Sequence, residues 1–243
     1  MKKLCLTAAI LMTAAASMAQ DHLPPVFGAD TALFRKDIMT RSYMTPKKIL
    51  WTSSATAVQN AELLLKPNTG QADIFGEGMC RLTNNGNDQA SLILDFGHEL
   101  HGGFKLVISS CSPLQTPQVR LRFGESVSET CSELNTTKSI AETGSKADVN
   151  LKANTATNDH AIRDMVLTVP FYGQMEVGST GYRFVRIDLL TPGQTINLKE
   201  ATAILRYRDI PYVGSFRCSD QRLNDIWMTG AYTVHLNMQE YIW

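Results

Sequence analysis

Apolar and polar positions alternate with a period of two along much of the chain between about residue 60 and residue 213. In Gln118–Phe123, Val119, Leu121 and Phe123 fall on one side while Arg120 and Arg122 fall on the other. Tyr182–Leu190 repeats the pattern, with Val185, Ile187 and Leu189 set against Phe184, Arg186 and Asp188. Such alternation predicts strands with one buried and one wet face. Glu62–Lys66, Met79–Thr83, Ser91–Phe96, Phe104–Ser109, Met165–Val169 and Ala201–Tyr207 are further candidate strands. Asn84-Asn85-Gly86-Asn87-Asp88 reads as a turn, because Asn and Gly tolerate positive φ cheaply. Residues 79–96 are therefore expected to form a hairpin. Strands at short spacing with no helical pattern between them predict a mainly β fold, an antiparallel β-sandwich.

The period changes after residue 213. Leu223, Trp227, Gly230, Val234, Met238 and Tyr241 recur at spacings of three and four, widened by Ile226, Ala231 and Ile242. This is one apolar face of an amphipathic α-helix. Ser219 is the expected N-cap, with Asp220 in the first turn, where the helix dipole favours an anion. A stripe this wide needs a large partner surface, so residues 214–243 are expected to open a further domain that lies beyond Trp243. Two stretches lack periodicity. Residues 125–160, rich in Ser, Thr, Asn, Glu and Lys, read as a long surface excursion between strands, a kind of loop that is often functional or mobile. Residues 20–48, with Pro24, Pro25 and Pro46, read as an extended lead-in laid onto the domain.

The first residues add a compartment. Lys2 and Lys3 precede the apolar run Leu4–Ala16, and Ser17-Met18-Ala19 sets small residues where a signal peptidase reads. Residues 1–19 are thus expected to be a cleaved signal peptide, with the protein exported to the periplasm or the extracellular space and no membrane association after cleavage. Cys5 sits in the apolar run without the surroundings of a lipoprotein site. The domain reading is 1–19 signal peptide, 20–48 lead-in, 49–213 β-sandwich and 214–243 first helix of a following domain. A formal net charge of +0, with both signs interspersed, offers no basic patch for nucleic acid. Cys80, Cys111, Cys131 and Cys218 remain after cleavage. Export permits disulfides in three full pairings, but the wide spacing fits neither a small disulfide scaffold nor a zinc site. The expectation is mostly free, buried thiols.

The candidate chemistry is thin. His98-Glu99-Leu100-His101 invites comparison with the zinc-protease motif, but its histidines stand three apart among Gly97, Gly102 and Gly103 rather than four apart on a helix. Glycosidases use two carboxylates that flank the scissile bond. Glu99, Glu125, Glu129, Glu133 and Glu142 are available, and sequence alone brings no two of them together. Asp159-His160 and Arg163-Asp164 could serve acid/base work or simple hydrogen bonding. Tyr172, Tyr182 and Tyr207 could stack on sugar rings or fill a core, and Trp227 and Trp243 read as helix packing. No nucleophile elbow, dinucleotide fingerprint or phosphate loop occurs.

Three stretches resemble the N-terminal region of bacterial α-L-rhamnosidases of glycoside hydrolase family 78. Leu94-Asp95-Phe96-Gly97 running into Gly102-Gly103-Phe104, followed by Val119–Glu125, resembles a passage of that family's sandwich. Gly181-Tyr182-Arg183-Phe184-Val185-Arg186-Ile187 resembles one of its strands. Gly214-Ser215-Phe216-Arg217-Cys218-Ser219 with Leu223, Asn224, Ile226 and Trp227 resembles the junction into its helical barrel, and Tyr232-Thr233-Val234-His235 continues that likeness. The resemblance spans roughly residues 45–243. It implies a concanavalin-like or jelly-roll sandwich followed by the start of an (α/α)6 barrel. It also implies an inverting hydrolase acting on terminal α-L-rhamnosyl groups of a glycan or glycoside. The family's catalytic carboxylates lie in that barrel, so the resemblance assigns no catalytic, cofactor-binding or metal residue here, and Glu125 falls on a sandwich position. The barrel would be the intramolecular partner of this chain. The alternative reading is a non-catalytic carbohydrate-binding sandwich.

Overall fold

In the computed structural model, residues 37–73, 78–131 and 163–239 are described. Ile38–Trp243 form one compact unit and Met1–Asp37 another, of which only Asp37 is described. The proposed signal peptide, most of the 20–48 lead-in and most of the 125–160 excursion lie outside the described residues, as do Glu133, Glu142, Asp159, His160 and Trp243.

Among the described residues, nine antiparallel strands build the fold: β1 (Met39–Met44), β2 (Lys48–Thr52), β3 (Val58–Gln59), β4 (Cys80–Asn84), β5 (Ser91–Ser112), β6 (Gln118–Gly124), β7 (Asp164–Thr168), β8 (Gly173–Leu189) and β9 (Gln194–Arg208). They pair in the order β3-β4-β9-β5-β8-β6-β7, with β1 added to β9 and β2 to β5. The long strands β5 and β8 serve two layers. The first part of β5, Ser91–Asp95, pairs with β2 and with Phe184–Asp188 of β8, which in turn pairs with β6. The second part, Gly102–Ser112, pairs with β9 and with the start of β8. Both strands turn the corner at register shifts between Asp95 and Leu100 and between Gly102 and Phe104. Bulges of this kind bend a strand and raise its twist.

The apolar sets predicted from alternation lie side by side on paired strands, Val119 beside Leu189, Leu121 beside Ile187 and Phe123 beside Val185, and all turn into the core. Val119, Leu121, Phe123, Val185, Ile187, Leu189, Leu106 and Ile108 are all buried in one core. At the corner, Tyr182 lies edge-on to Phe96 and Phe123, with ring centroids 6.0 and 4.9 Å away, and its hydroxyl donates to the Gly103 carbonyl at 2.5 Å. Gly102 has φ +149°, and a Cβ there would stand 1.8 Å from the Ile204 carbonyl oxygen, so only glycine lets β5 and β9 approach this closely.

Several expectations are corrected. The 79–96 segment is not a hairpin. The turn forms, with Asn85 Oδ1 accepting from the Asn87 and Asp88 amides, but β4 pairs with β9 and β5 with β2, β8 and β9. Local turn chemistry fixed the reversal, and long-range pairing chose the partners. Glu62–Lys66 is not a strand: Ala61–Leu65 is a 3-10 turn that buries Ala61 and Leu64. Ser91–Phe96 and Phe104–Ser109 are one bent strand. Arg122 and Asp188, expected on the wet face, are each 3 % exposed. Arg122 Nη2 meets Asp188 Oδ2 at 2.8 Å, and Arg186 Nε meets Asp188 Oδ1 at 2.8 Å. Burial alone would push the Asp188 carboxyl up, but hydrogen bonds from Ser91, Arg186 and Arg122 hold it below its ordinary value.

Among the described residues, two α-helices accompany the strands. The short α1 (Val127–Cys131) leaves β6, and α2 (Gln221–Leu236) follows β9. The cap of α2 is Asp220 rather than Ser219, with Asp220 Oδ1 accepting from the Arg222 amide at 2.9 Å. No residue of α2 is fully buried. Trp227, Ala231, Tyr232, His235 and Leu236 are half-buried, whereas Leu223, Ile226, Met228 and Val234 are 48 to 58 % exposed. The predicted stripe is thus split, with one part against the sandwich and one part facing outward.

Candidate functional site

The bulge at the β5 corner and the helix α2 form the walls of a cleft of about 930 Å³. The bulge supplies Phe96 through His101, β8 supplies Gly181 and Arg183, and α2 supplies Asp225, Met228, Thr229, Tyr232, Thr233 and Leu236, with its C-cap Asn237 beside them.

Local chemistry fixes the bulge. Gly97 has φ +87°, a region that L side chains rarely enter. Its amide donates to Asp95 Oδ1 at 2.7 Å, and Arg183 holds the same carboxylate through Nε at 2.8 Å and Nη2 at 3.0 Å. The Arg183 hydrogen bonds hold the Asp95 carboxyl below its ordinary range, against burial. Four residues on, Glu99 behaves in the opposite way. Burial, together with the nearby Glu125 and Glu129 carboxylates, pushes its carboxyl up to about 7, although Arg163 and Arg183 partly offset this. Among the described residues, no hydrogen-bond donor reaches the Glu99 carboxyl. Burial lowers the neighbouring His101 imidazole, and Arg206 adds to the effect.

The helix wall is tied at both ends. Asn224 Oδ1 accepts from the Cys218 amide and Asn224 Nδ2 donates to the Cys218 carbonyl, at 2.9 and 3.0 Å. Tyr232 donates its hydroxyl to the Glu99 carbonyl at 2.5 Å, joining helix to bulge. His235 Nε2 stands 2.7 Å from the Arg208 carbonyl, which can only accept, so this nitrogen carries the proton. In the neutral ring, Nδ1 then accepts from the Tyr212 hydroxyl at 2.9 Å. Arg208 Nε completes the clamp by donating to the Met238 carbonyl at 2.9 Å.

The structure sorts the candidates. Glu99 and Glu125 line the same cleft. Arg163 grips Glu125 at 2.7 Å and Glu129 at 3.3 Å, which sets Glu129 behind the cleft as a support. Asp164 is bound by Arg120 at 2.8 and 2.6 Å and holds β7 to β6. Tyr182 is core, Tyr207 packs edge-on against His235 at 5.9 Å, and Tyr172 is 40 % exposed away from the cleft. Among the described residues, no three His, Cys, Asp or Glu side chains gather as a metal site. No helix among them is long and apolar enough to cross a membrane. All four described cysteines are free: Cys80 and Cys111 buried, Cys218 half-buried and Cys131 exposed. Arg183, Tyr212, Asp225 and Tyr232 carried no separate signal as site residues, since each reads alone as ordinary strand, loop or helix composition. What the cleft can do is hold a polyhydroxylated ligand, with carboxylate acceptors, a guanidinium donor and apolar walls.

No protein-family model matches the chain, and no curated protein matches it. The fold, however, has a solved relative. It is similar to a rhamnosidase from Klebsiella oxytoca with rhamnose bound, at a TM-score of 0.55 and 15 % identity over 84 % of this chain. This chain spans 36 % of that protein's length. A family 78 rhamnosidase of Bacillus sp. GL1 matches at a TM-score of 0.45 and 14 % identity, over 69 % of this chain and 15 % of the other. The lectin domain of lectinolysin, complexed with Lewis B antigen, matches at a TM-score of 0.37 and 13 % identity, over 68 % of this chain and 89 % of the other. At such identities the likeness is one of fold: a β-sandwich followed by a helix.

Proposed function

We propose that this chain is the sandwich and first helix of an exported, rhamnosidase-like glycoside hydrolase. The whole protein would remove terminal α-L-rhamnosyl groups from a glycan or glycoside by inversion. In that mechanism one carboxylic acid protonates the leaving oxygen while a second carboxylate activates water on the opposite face. Both carboxylates would sit in a helical barrel following Trp243, and the sandwich would hold the barrel's first helix in place. The observation that carries this reading is α2. It is tied to the sandwich through Tyr232, His235 and Arg208, yet it turns Leu223, Ile226 and Val234 outward. An exposed apolar face on a firmly anchored helix fits a partner domain. The fold likeness to a rhamnosidase over 84 % of the chain supports the same reading.

The test is the product of the whole reading frame with p-nitrophenyl α-L-rhamnoside, followed by NMR of the first-formed anomer. Release of rhamnose with inverted configuration is expected from the whole product, and none from residues 20–243 alone. A reading frame that stops at Trp243, or a longer product without rhamnosidase activity, would sink the proposal. The first of these outcomes would favour the second reading, a carbohydrate-binding sandwich, for which the cleft is the supporting observation.

A further inference from the structure

We infer that the cleft between the Phe96–His101 bulge and α2 is a sugar site of the sandwich itself, taking neutral saccharides through Glu99 and Arg183. This rests on the carbohydrate part of the function proposed above and adds a site outside the barrel.

Size comes first. A volume of about 930 Å³ lies within the range of ligand pockets. The lining is of two kinds. Leu205, Met228 and Leu236 are apolar surfaces suited to the C–H faces of a pyranose ring. Polar groups interrupt them at the two walls. Glu99 is half-buried on the bulge, and its carboxyl meets no hydrogen-bond donor among the described residues. A half-buried carboxyl that opens onto the cleft accepts from solvent until a ligand arrives, and sugar hydroxyls are donors that can take that place. Arg183 gives Nε and Nη2 to Asp95, which leaves Nη1 as a donor for a ligand oxygen. The Asp95 tie holds the Arg183 guanidinium in place, and the Gly97 turn with the Tyr232 hydrogen bond fixes the backbone that carries Glu99, so little backbone ordering is required on binding.

Charge selects the class of sugar. Glu99, Glu125 and Asp225 face the cleft against Lys47 and an Arg183 already neutralised by Asp95. A uronate would bring a further anion against these carboxylates. Glu99, pushed up to about 7, spends part of its time protonated near neutral pH, which weakens any pull on a cation. A neutral hydroxylated ligand satisfies both forms of the carboxyl, because the acid donates and accepts while the carboxylate accepts.

The experiment uses residues 20–243 and reads saturation-transfer NMR and calorimetry at pH 7. The probes are L-rhamnose, D-galactose and D-glucose as methyl glycosides, with D-galacturonate and D-glucosamine as charged controls. At least one neutral glycoside is expected to bind, with galacturonate and glucosamine weaker. Glu99→Ala should weaken binding about tenfold or more, the size of a lost hydrogen bond to a charged group. Thr229→Trp, at an exposed position on the helix wall, should block the cleft without touching the bulge. Thermal melts like that of the parent chain would show that both variants are folded. No binding of any neutral glycoside, undiminished binding by both folded variants, or preference for galacturonate or glucosamine would each overturn the inference. Binding of galactose or glucose but not rhamnose would keep the cleft and remove rhamnose as its sugar. A whole-length product that releases rhamnose while the cleft binds nothing would overturn this inference alone.

Discussion

Asp95 and Glu99 stand four residues apart on one bulge and titrate in opposite directions, because one has a guanidinium and the other has burial and like charges. Their contributions to stability therefore have opposite signs. A carboxyl raised in the folded state stabilises fully below its ordinary value of 4.5 and loses that contribution as pH rises towards 7. Asp95 and Asp188, lowered from 3.8, stabilise above that value and lose their contribution as pH falls through their folded values. The melting temperature should thus drop below about pH 3.8 and also drift down between pH 4.5 and 7, and Glu99→Gln should flatten only the second slope. Asp188→Ala would remove the interior carboxylate that Arg122 and Arg186 share, and urea unfolding should show a loss of about 3–5 kcal/mol. Burial pushes the Cys80 thiol up to about 12 and the Cys111 thiol up to about 11. Iodoacetamide at pH 8 should therefore modify Cys131 and Cys218 in the native protein, and mass spectrometry should find Cys80 and Cys111 labelled only after unfolding.

At the scale of elements, the corner of β5 governs the site. The strand must change layers between Asp95 and Phe104, and the register slack there becomes the loop that carries Glu99. Gly102→Ala would drive a Cβ into the Ile204 carbonyl. It should cost more than about 3 kcal/mol in denaturant unfolding, in line with strained backbone positions and overpacking. For the helix, Tyr232→Phe removes a side-chain hydrogen bond from α2 to the bulge. Faster amide exchange in residues 221–236, with exchange in β5, β8 and β9 unchanged, is the expected result. Equal slowing or quickening of both would mean that helix and sandwich open as one unit.

For the whole molecule, the outward face of α2 is the largest uncovered apolar feature of the anchored helix. Residues 20–243 should self-associate at concentrations where 20–213 stays monomeric in sedimentation, because only the longer chain exposes Leu223, Ile226 and Val234. Equal behaviour of the two would remove the helix as a docking surface.

The sequence alone determined the things that depend on neighbours along the chain. Period-two alternation placed β6 and the inner half of β8, with Val119, Leu121, Phe123, Val185, Ile187 and Leu189 in the core. The change to a helical period placed α2, and the resemblance of Asp95–Gly97, Gly181–Ile187 and Gly214–Ser219 to rhamnosidase passages pointed to the solved fold that the chain is similar to. Tertiary structure decided what depends on partners far away. The reversal at Asn84–Asp88 was legible, but β4 found β9, more than a hundred residues on, because pairing in a sheet is chosen by burial across the whole core rather than by the turn. Arg122 and Asp188 looked solvent-facing because alternation reports a side and not its depth. Glu99 and Glu125, two carboxylates among five in sequence, became neighbours only when the β5 corner and the end of β6 met beneath the helix. Burial of Glu99 and the like charge of Glu125 beside it, which no spacing encodes, push the Glu99 carboxyl up.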